Sequence, residues 1–218
     1  MENQEAKSTP TVFVVDDDAA MRTSLRWLIE SVGLSVETYN SAQEFLNAYT
    51  PDRSGCIVLD VRMPGMSGLE LQEHLNSRRI MIPVIIVTGH GDIPMAVAAM
   101  KAGAVEFIEK PFNDQRLLDC VKEALQRDNR IRNDQVEKAA IDQRLDNLTP
   151  REREVMEMVV AGKANKVIAA LLDVSAKTVE AHRAKVMEKM GVTSLAELVR
   201  LALIAGQEFE ESATARRR

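Results

Sequence analysis

Asp16 and Asp17 follow the apolar run Thr11–Val15, Asp60 follows Cys56–Leu59, and Thr88 follows Val84–Val87. Lys110, with Pro111 behind it, stands two residues after the run Val105–Ile108. Gathered in one place, three carboxylates, a hydroxyl and an ammonium could accept a phosphoryl group. A carboxylate can attack phosphorus when a divalent cation neutralises the crowded negative charge. Mg2+ takes octahedral oxygen ligation, usually one or two carboxylates with water and phosphate oxygens, and Asp16, Asp17 and Asp60 supply such ligands. The Lys110 ammonium would meet one phosphoryl oxygen as a point charge, and the Thr88 hydroxyl would donate to another.

These residues need a scaffold that brings them together. Short apolar runs alternating with amphipathic stretches read as buried parallel strands of an α/β sheet. Strands are expected at Thr11–Val15, Ser35–Tyr39, Cys56–Leu59, Val84–Thr88 and Val105–Ile108, with helices near Ala19–Val32, Ser41–Tyr49, Ser67–Arg78, Pro94–Ala102 and Asn113–Arg127. Gly33 marks a helix stop, Ser41 and Ser67 are good caps, and Ser41 with Glu44 spells a capping box. Such alternation implies right-handed crossovers and a doubly wound, five-stranded parallel sheet. Ligands of such sheets sit beyond the carboxyl ends of the strands, where every one of these polar residues falls. Asp60 is the expected acceptor, since it ends the middle strand and precedes the turn Met63-Pro64-Gly65.

The chain has 218 residues, 45% hydrophobic and 28% charged, ordinary values for a globular protein and enough for two small domains. No apolar stretch approaches a membrane span, and no signal core is evident. Cys56 and Cys120 are too few for a disulfide framework, so a reducing, cytoplasmic setting without membrane association is expected. The net charge of −5 is uneven: residues 1–125 carry −7 and residues 126–218 carry +2, which makes the second part the better partner for a polyanion.

Charge dominates from Asp128 to Asn147 without Gly or Pro, which predicts a continuing helix that serves as a semi-rigid linker or as a simple solvated spacer. Thr149-Pro150-Arg151-Glu152 is then a strong helix start, with cap, proline at the first position and a closing glutamate. Its apolar stripe ends at Gly162. Helices over Lys166–Leu172, from Ser175 to Met190, and from Ser194 to about Ala205 complete an all-α, four-helix pattern with a tight turn at Asp173-Val174. That is the layout of a helix-turn-helix domain. On Ser175–Met190, Val179, Val186 and Met190 share one face and must be core. Lys177, Ala181, Ala184 and Glu188 lie opposite, flanked by Glu180 and Lys185, and small residues among charged ones suit close approach to a groove. Lys177, Arg183 and Lys185 suit phosphate, Thr178 could meet phosphate or base, and Glu180 could accept from a cytosine amine or orient Arg183. His182 and Arg183 border the apolar face, and His182 could serve structure or DNA contact. Lys166 is a backbone-contact candidate.

Two resemblances follow. Residues 11–125 resemble the receiver domain of two-component response regulators, a CheY-like fold. The match rests on Val15-Asp16-Asp17, Asp60-Val61-Arg62-Met63-Pro64-Gly65-Met66-Ser67-Gly68, Thr88-Gly89-His90-Gly91-Asp92 and Phe107-Ile108-Glu109-Lys110-Pro111-Phe112. Leu148–Ala205 resembles the LuxR-type effector domain of the FixJ/NarL group, through Leu148–Glu152, Gly162, Asn165-Lys166, Ile168-Ala169, Leu172, Val174-Ser175, Thr178–Glu180, His182-Arg183 and Lys189-Met190. Thr88–Lys101 looks like the FixJ branch.

The resemblance implies Asp60 as phosphoacceptor, with Mg2+ held by Asp17, by Asp16 through water, by Asp60 and by the Arg62 main-chain carbonyl. It makes Thr88 and Phe107 a switch pair and the Lys110–Pro111 bond cis. It brings Glu180, Ala181 and Ala184 to base edges and places dimerisation on the last helix, where Val199, Ala202 and Leu203 offer an apolar strip or simply pack inward.

The division expected is a tail at 1–10, a receiver at 11–125, a linker at 126–147, a LuxR-type domain at 148–207 and a tail at 208–218. The function expected is a bacterial-type, phosphorylation-activated transcription regulator, not an enzyme. It takes its phosphoryl group from a sensor histidine kinase and binds promoter DNA as a homodimer, with RNA polymerase a conceivable partner. A receiver-based protein-interaction module without promoter binding is the rival. A phosphohydrolase using an aspartyl phosphate would need an acid/base aspartate two residues after the nucleophile, where this chain has Arg62.

Overall fold

In the computed structural model, residues 9–89 and 91–206 are described. Most of the expected N-terminal tail, His90 of the Thr88–Asp92 stretch, and the 208–218 tail with its three arginines lie outside the described residues. The chain divides into two compact units, Met1–Arg132 and Asn133–Arg218.

The first unit runs β1 (Thr11–Val15), α1 (Ala19–Glu30), β2 (Ser35–Tyr39), α2 (Ala42–Ala48), β3 (Gly55–Leu59), α3 (Gly68–Ser77), β4 (Val84–Thr88), α4 (Ile93–Lys101), β5 (Glu106–Glu109) and the start of α5 (Asp114–Asp146). All strand pairs are parallel, in the order β2-β1-β3-β4-β5. The chain winds outward from β1 in one direction and from β3 in the other, so the crevice of a doubly wound sheet opens between β1 and β3. Alternation along β1 divides the core: Phe13 and Val15 pack with Phe45, Leu71, Leu75 and Ala99, while Val12 and Val14 pack with Leu25, Ile29, Leu117 and Val121. Phe13, Tyr39, Phe45 and Tyr49 form a contiguous ring cluster with centroids 5.1–6.5 Å apart.

Three local differences from expectation have physical causes. β3 starts one residue early, because Gly55 adopts φ +155° against Thr11, where a Cβ would stand 1.8 Å from the Thr11 carbonyl oxygen. β5 is shifted by one residue, with Val105 still bonded to the Val84 carbonyl at 2.7 Å. The expected box at Ser41 closes only halfway: Ser41 Oγ accepts from the Glu44 N–H, but Glu44 turns its carboxylate to the Asn40 N–H.

The boundary between the units falls inside α5, one 33-residue helix. It is not evenly solvated. Asp128 is buried in the first unit, accepting from Ser54 Oγ at 2.7 Å, the Gly55 N–H at 3.0 Å and Arg132 Nε at 2.9 Å. Arg132 also donates to the Asp52 and Arg53 carbonyls.

The second unit adds α6 (Pro150–Val160), α7 (Asn165–Leu172), α8 (Ala176–Met190) and α9 (Leu195–Ile204). Ile141 and Leu145, from the last turns of α5, share its core with Leu148, Val155, Met156, Val159, Ile168, Val179, Val186, Met190, Leu198, Leu201 and Ala202. The Thr149–Glu152 capping box is complete. Asp173 in the left-handed conformation turns the chain between α7 and α8, and Ser175 caps α8. Of the apolar strip on α9, Ala202 is buried, Val199 half-buried and Leu203 exposed.

Candidate functional site

At the carboxyl edge of the sheet, Asp16 leaves β1 and Asp60 leaves β3, and both are buried. They are built alike. Asp16 Oδ1 accepts from the N–H two residues on, at Asp18, over 2.8 Å, and Asp60 Oδ2 accepts from the Arg62 N–H at 2.7 Å. Each is an Asx turn that fixes its carboxylate and leaves one oxygen facing the crevice. Lys110 Nζ takes both remaining oxygens, Asp16 Oδ2 at 2.7 Å and Asp60 Oδ1 at 3.0 Å. Lys110 directly follows β5, its N–H held by the Thr88 carbonyl at 2.9 Å, and the Lys110–Pro111 bond is cis.

Sharing one ammonium between two carboxylates has unequal effects. Burial pushes the Asp60 carboxyl up, the Lys110 hydrogen bond and charge pull it down, Asp16 pushes it up again, and the net position is above the usual aspartate value. Burial pulls the Lys110 ammonium down, but hydrogen bonds and charges from Asp16 and Asp60 outweigh it, leaving it above the usual lysine value. The lysine faces two anions, whereas each anion has half a counter-ion.

Asp17, the third carboxylate expected here, is exposed, and Asp18 is the N-cap of α1. No group of three or more His, Cys, Asp or Glu side chains converges as a metal-holding cluster among the described residues. The structure thus brings together two of the three expected carboxylates. Two buried carboxylates against one ammonium leave a negative charge uncompensated, and an oxygen-only donor set is what a hard divalent cation takes, so the residues present fit Mg2+.

Thr88 is buried at the end of β4, and Phe107 is half-buried on β5. The Phe107 ring lies directly on Gly91, where a Cβ would meet ring atoms at 2.9 and 3.1 Å. Gly68 is equally constrained: a Cβ there would stand 2.2 Å from the Asp60 carbonyl oxygen. Sequence reasoning included both glycines only as parts of motifs. It missed Arg22, whose guanidinium donates to the Asp16 carbonyl at 2.6 Å, since no local spacing signals that contact.

In the second unit, α8 buries Val179, Val186 and Met190 and exposes Lys177, Thr178, Glu180, Ala181, Ala184, Lys185 and Glu188. Thr178 Oγ1 shares a hydrogen bond with the capping Ser175 hydroxyl at 2.8 Å. Arg183, expected at phosphate, is half-buried and donates to Asn165 Oδ1 at 2.7 Å, tying α8 to the start of α7. His182 is half-buried, and Lys166 is exposed in the first turn of α7. Near the far end of α8, Lys189 Nζ donates to Glu152 Oε2 at 2.6 Å, and the Lys189 hydrogen bond holds the Glu152 carboxyl down at about 2.

Two family profiles match the chain, "Response regulator receiver domain" over residues 12–122 and "Bacterial regulatory proteins, luxR family" over residues 146–202. The transcriptional regulatory protein FixJ of Azorhizobium caulinodans is 49% identical over 203 residues, covering 93% of this chain and 96% of that one. FixJ of Bradyrhizobium diazoefficiens is 47% identical over 195 residues, 89% and 95% of the two chains. Among solved structures, the response regulator StyR superposes with a TM-score of 0.80 at 47% identity, covering 90% of this chain and 99% of that one.

Proposed function

The chain belongs to the FixJ-like response regulators, in which a receiver domain precedes a LuxR-type DNA-binding domain, and we propose how its residues divide that work. It is a phosphorylation-activated transcription regulator of a two-component system, with a kinase as the implied partner of the receiver. Signal reception is assigned to residues 11–125, DNA reading to 148–207, and 126–147 joins them.

Asp60 is the phosphoacceptor. One observation carries this: Asp60 and Asp16 sit buried at the carboxyl ends of adjacent strands with one ammonium between them. The Asp60 oxygen that Lys110 holds, Oδ1, attacks phosphorus on the phosphohistidine of a sensor kinase, and the P–N bond breaks as imidazole leaves. Lys110 then trades a carboxylate oxygen for a phosphoryl oxygen, so its charge is retained while its partner changes. Asp16, Asp17, Asp60 and the Arg62 main-chain carbonyl would hold Mg2+, which would neutralise the charge crowded around the acceptor. Thr88 follows the phosphoryl group and Phe107 takes the space it leaves. The packing of the Phe107 ring on Gly91 supports this, because loop and ring share one volume. The repacked face of α4, β5 and α5 makes the homodimer, and two copies of α8 enter successive major grooves. Glu180, Ala181 and Ala184 meet base edges, while Lys166, Lys177 and Lys185 meet phosphate, Thr178 either, and Arg183 phosphate through the nitrogens that Asn165 leaves open. Among the described residues no helix is long and apolar enough to cross a membrane, and a cytoplasmic regulator that meets RNA polymerase at the promoter fits this division.

The test uses purified full-length protein with acetyl phosphate and Mg2+. Wild type gains one acid-labile phosphoryl group and tighter, salt-dependent binding to promoter fragments, while Asp60→Asn gains neither. Phosphorylation of Asp60→Asn at the wild-type rate refutes the assignment, and absence of DNA binding in either state favours the protein-interaction reading.

A further inference from the structure

Helix α8 is the element that the proposed function sends into the groove, and its C-terminal end is fastened by residues outside the helix-turn-helix. Arg144 Nη1, from the last turn of α5, donates to the Met190 carbonyl at 3.0 Å. That carbonyl is among the last of α8, which otherwise have no partner within the helix. Gly191, the left-handed cap at φ +66°, packs beside the guanidinium, its Cβ position in ordinary van der Waals contact at 3.6 Å from Nη1. Three residues on, the Asn147 carbonyl accepts from Lys189 Nζ at 3.1 Å. A cation at a helix C-terminus is also favoured by the helix dipole.

The apolar face of α8 does not by itself fix its register. Val179, Val186 and Met190 make non-directional contacts that tolerate small rotations. The directional contacts are few: Arg183 to Asn165 in the middle, Lys189 to Glu152 and Asn147, and Arg144 to Met190 at the end. Ile141 and Leu145, buried on either side of Arg144 in sequence, seat this turn of α5 in the same core and give the guanidinium a firm base.

We propose that Arg144 is a positioning residue for DNA recognition, fixing the end of α8 and hence the register of Glu180, Ala181 and Ala184 on base edges, without touching DNA itself. This rests on the reading of α8 as the DNA-reading helix. Arg144 therefore contributes to discrimination between sequences rather than to general attraction for phosphate. Loosening the end of a helix alters the angle of every residue upstream, whereas phosphate contacts from lysines on long flexible stems tolerate that change.

The test compares full-length wild type, Arg144→Met, Arg144→Gln and Arg144→Lys, each phosphorylated, on a genomic fragment selected by wild type and on a scrambled fragment, across a salt series. Arg144→Met and Arg144→Gln are expected to lose about tenfold on the selected fragment, the loss expected when one base contact is mis-seated. They should bind the scrambled fragment as wild type does, with an unchanged salt slope, and Arg144→Lys should recover most of the loss. Unchanged selectivity in both neutral variants overturns the proposal. So does a salt slope reduced by about one on both fragments, which marks a direct phosphate contact. Helical circular dichroism accompanies each variant, and equal loss on both fragments with helicity reduced marks a folding role and also overturns it. Wild type that selects no fragment sinks the DNA-reading assignment itself, a result distinct from wild type selecting and Arg144→Met matching it.

Discussion

Asp128→Ala should open the start of β3. Asp128 is 2% exposed and accepts from Ser54 Oγ, the Gly55 N–H and Arg132 Nε. Alanine leaves the buried Gly55 N–H without a partner, at a cost of about 1–3 kcal/mol. Arg132 keeps the Asp52 and Arg53 carbonyls and some solvent, and Ser54 can turn to water, so their losses lie at the low end. Removing one partner of a buried pair costs about 3–5 kcal/mol, and these compensations put the expected loss near the lower figure. About 3 kcal/mol is on the order of a hundredfold in an opening equilibrium. Cys56 is the adjacent residue, fully buried, and burial followed by the charge of Asp128 pushes its thiol up, so labelling waits for opening. Thiol labelling of Cys56 in the native full-length protein, located by peptide mass spectrometry to separate it from Cys120, should accelerate on the order of a hundredfold in Asp128→Ala, and less in Asp128→Asn, which keeps one acceptor oxygen. The open state carries an ordinary thiol in both proteins, so the ratio reports opening. Acceleration of less than about threefold would refute the claim that this carboxylate holds α5 to the sheet, being under 1 kcal/mol.

Two further predictions concern pH. Asp60 has its carboxyl raised above 3.8 in the folded state, so the native protein holds a proton that the unfolded chain has released, and stability falls as pH rises upward from 3.8. Asp60→Asn should therefore gain stability relative to wild type as pH rises from 3.8, read as a growing difference in urea midpoint; a difference that stays constant or reverses refutes it. Glu152 is the opposite case: its carboxyl is held down from 4.5 to about 2, so its contribution is whole above 4.5 and is lost as pH falls toward 2. Glu152→Gln should cost about 1.5–3 kcal/mol at neutral pH and flatten the acid dependence of melting, followed by the methyl signals of Met156 and Met190; an acid dependence as steep as wild type's sinks this.

Much of this was legible in the sequence, for identifiable reasons. Strands buried on both faces leave uninterrupted apolar runs, so β1 and β4 fall on their expected residues, and the residue after each run is forced to one edge. Gly55 could not be read, because its need arises from the neighbouring Thr11 carbonyl, 44 positions away in sequence. Nor could the sharing of Lys110, since the spacing that puts Asp16 and Asp60 within its reach is set by strand pairing. Arg183 was assigned to phosphate by its charge, which says nothing of Asn165 on the preceding helix. In α5 the charge-rich composition concealed Ile141 and Leu145, which stand four residues apart and are buried in the second unit. Composition described the solvent side of that helix, while spacing described the side that packs.

The first unit holds its rings together, Phe13, Tyr39, Phe45 and Tyr49 in contact and Trp27 at its surface, while the described residues of the second unit pack with aliphatic and methionine side chains alone. The molecule is thus optically one-sided. Tyrosine dichroism and tryptophan emission originate in the sheet unit, which holds both tyrosines and the one tryptophan, and helices α6–α9 carry no Phe, Tyr or Trp. A change in tryptophan emission on mixing with an oligonucleotide, excited where the bases do not absorb, would register an event in the sheet unit, a label-free readout of communication along the chain.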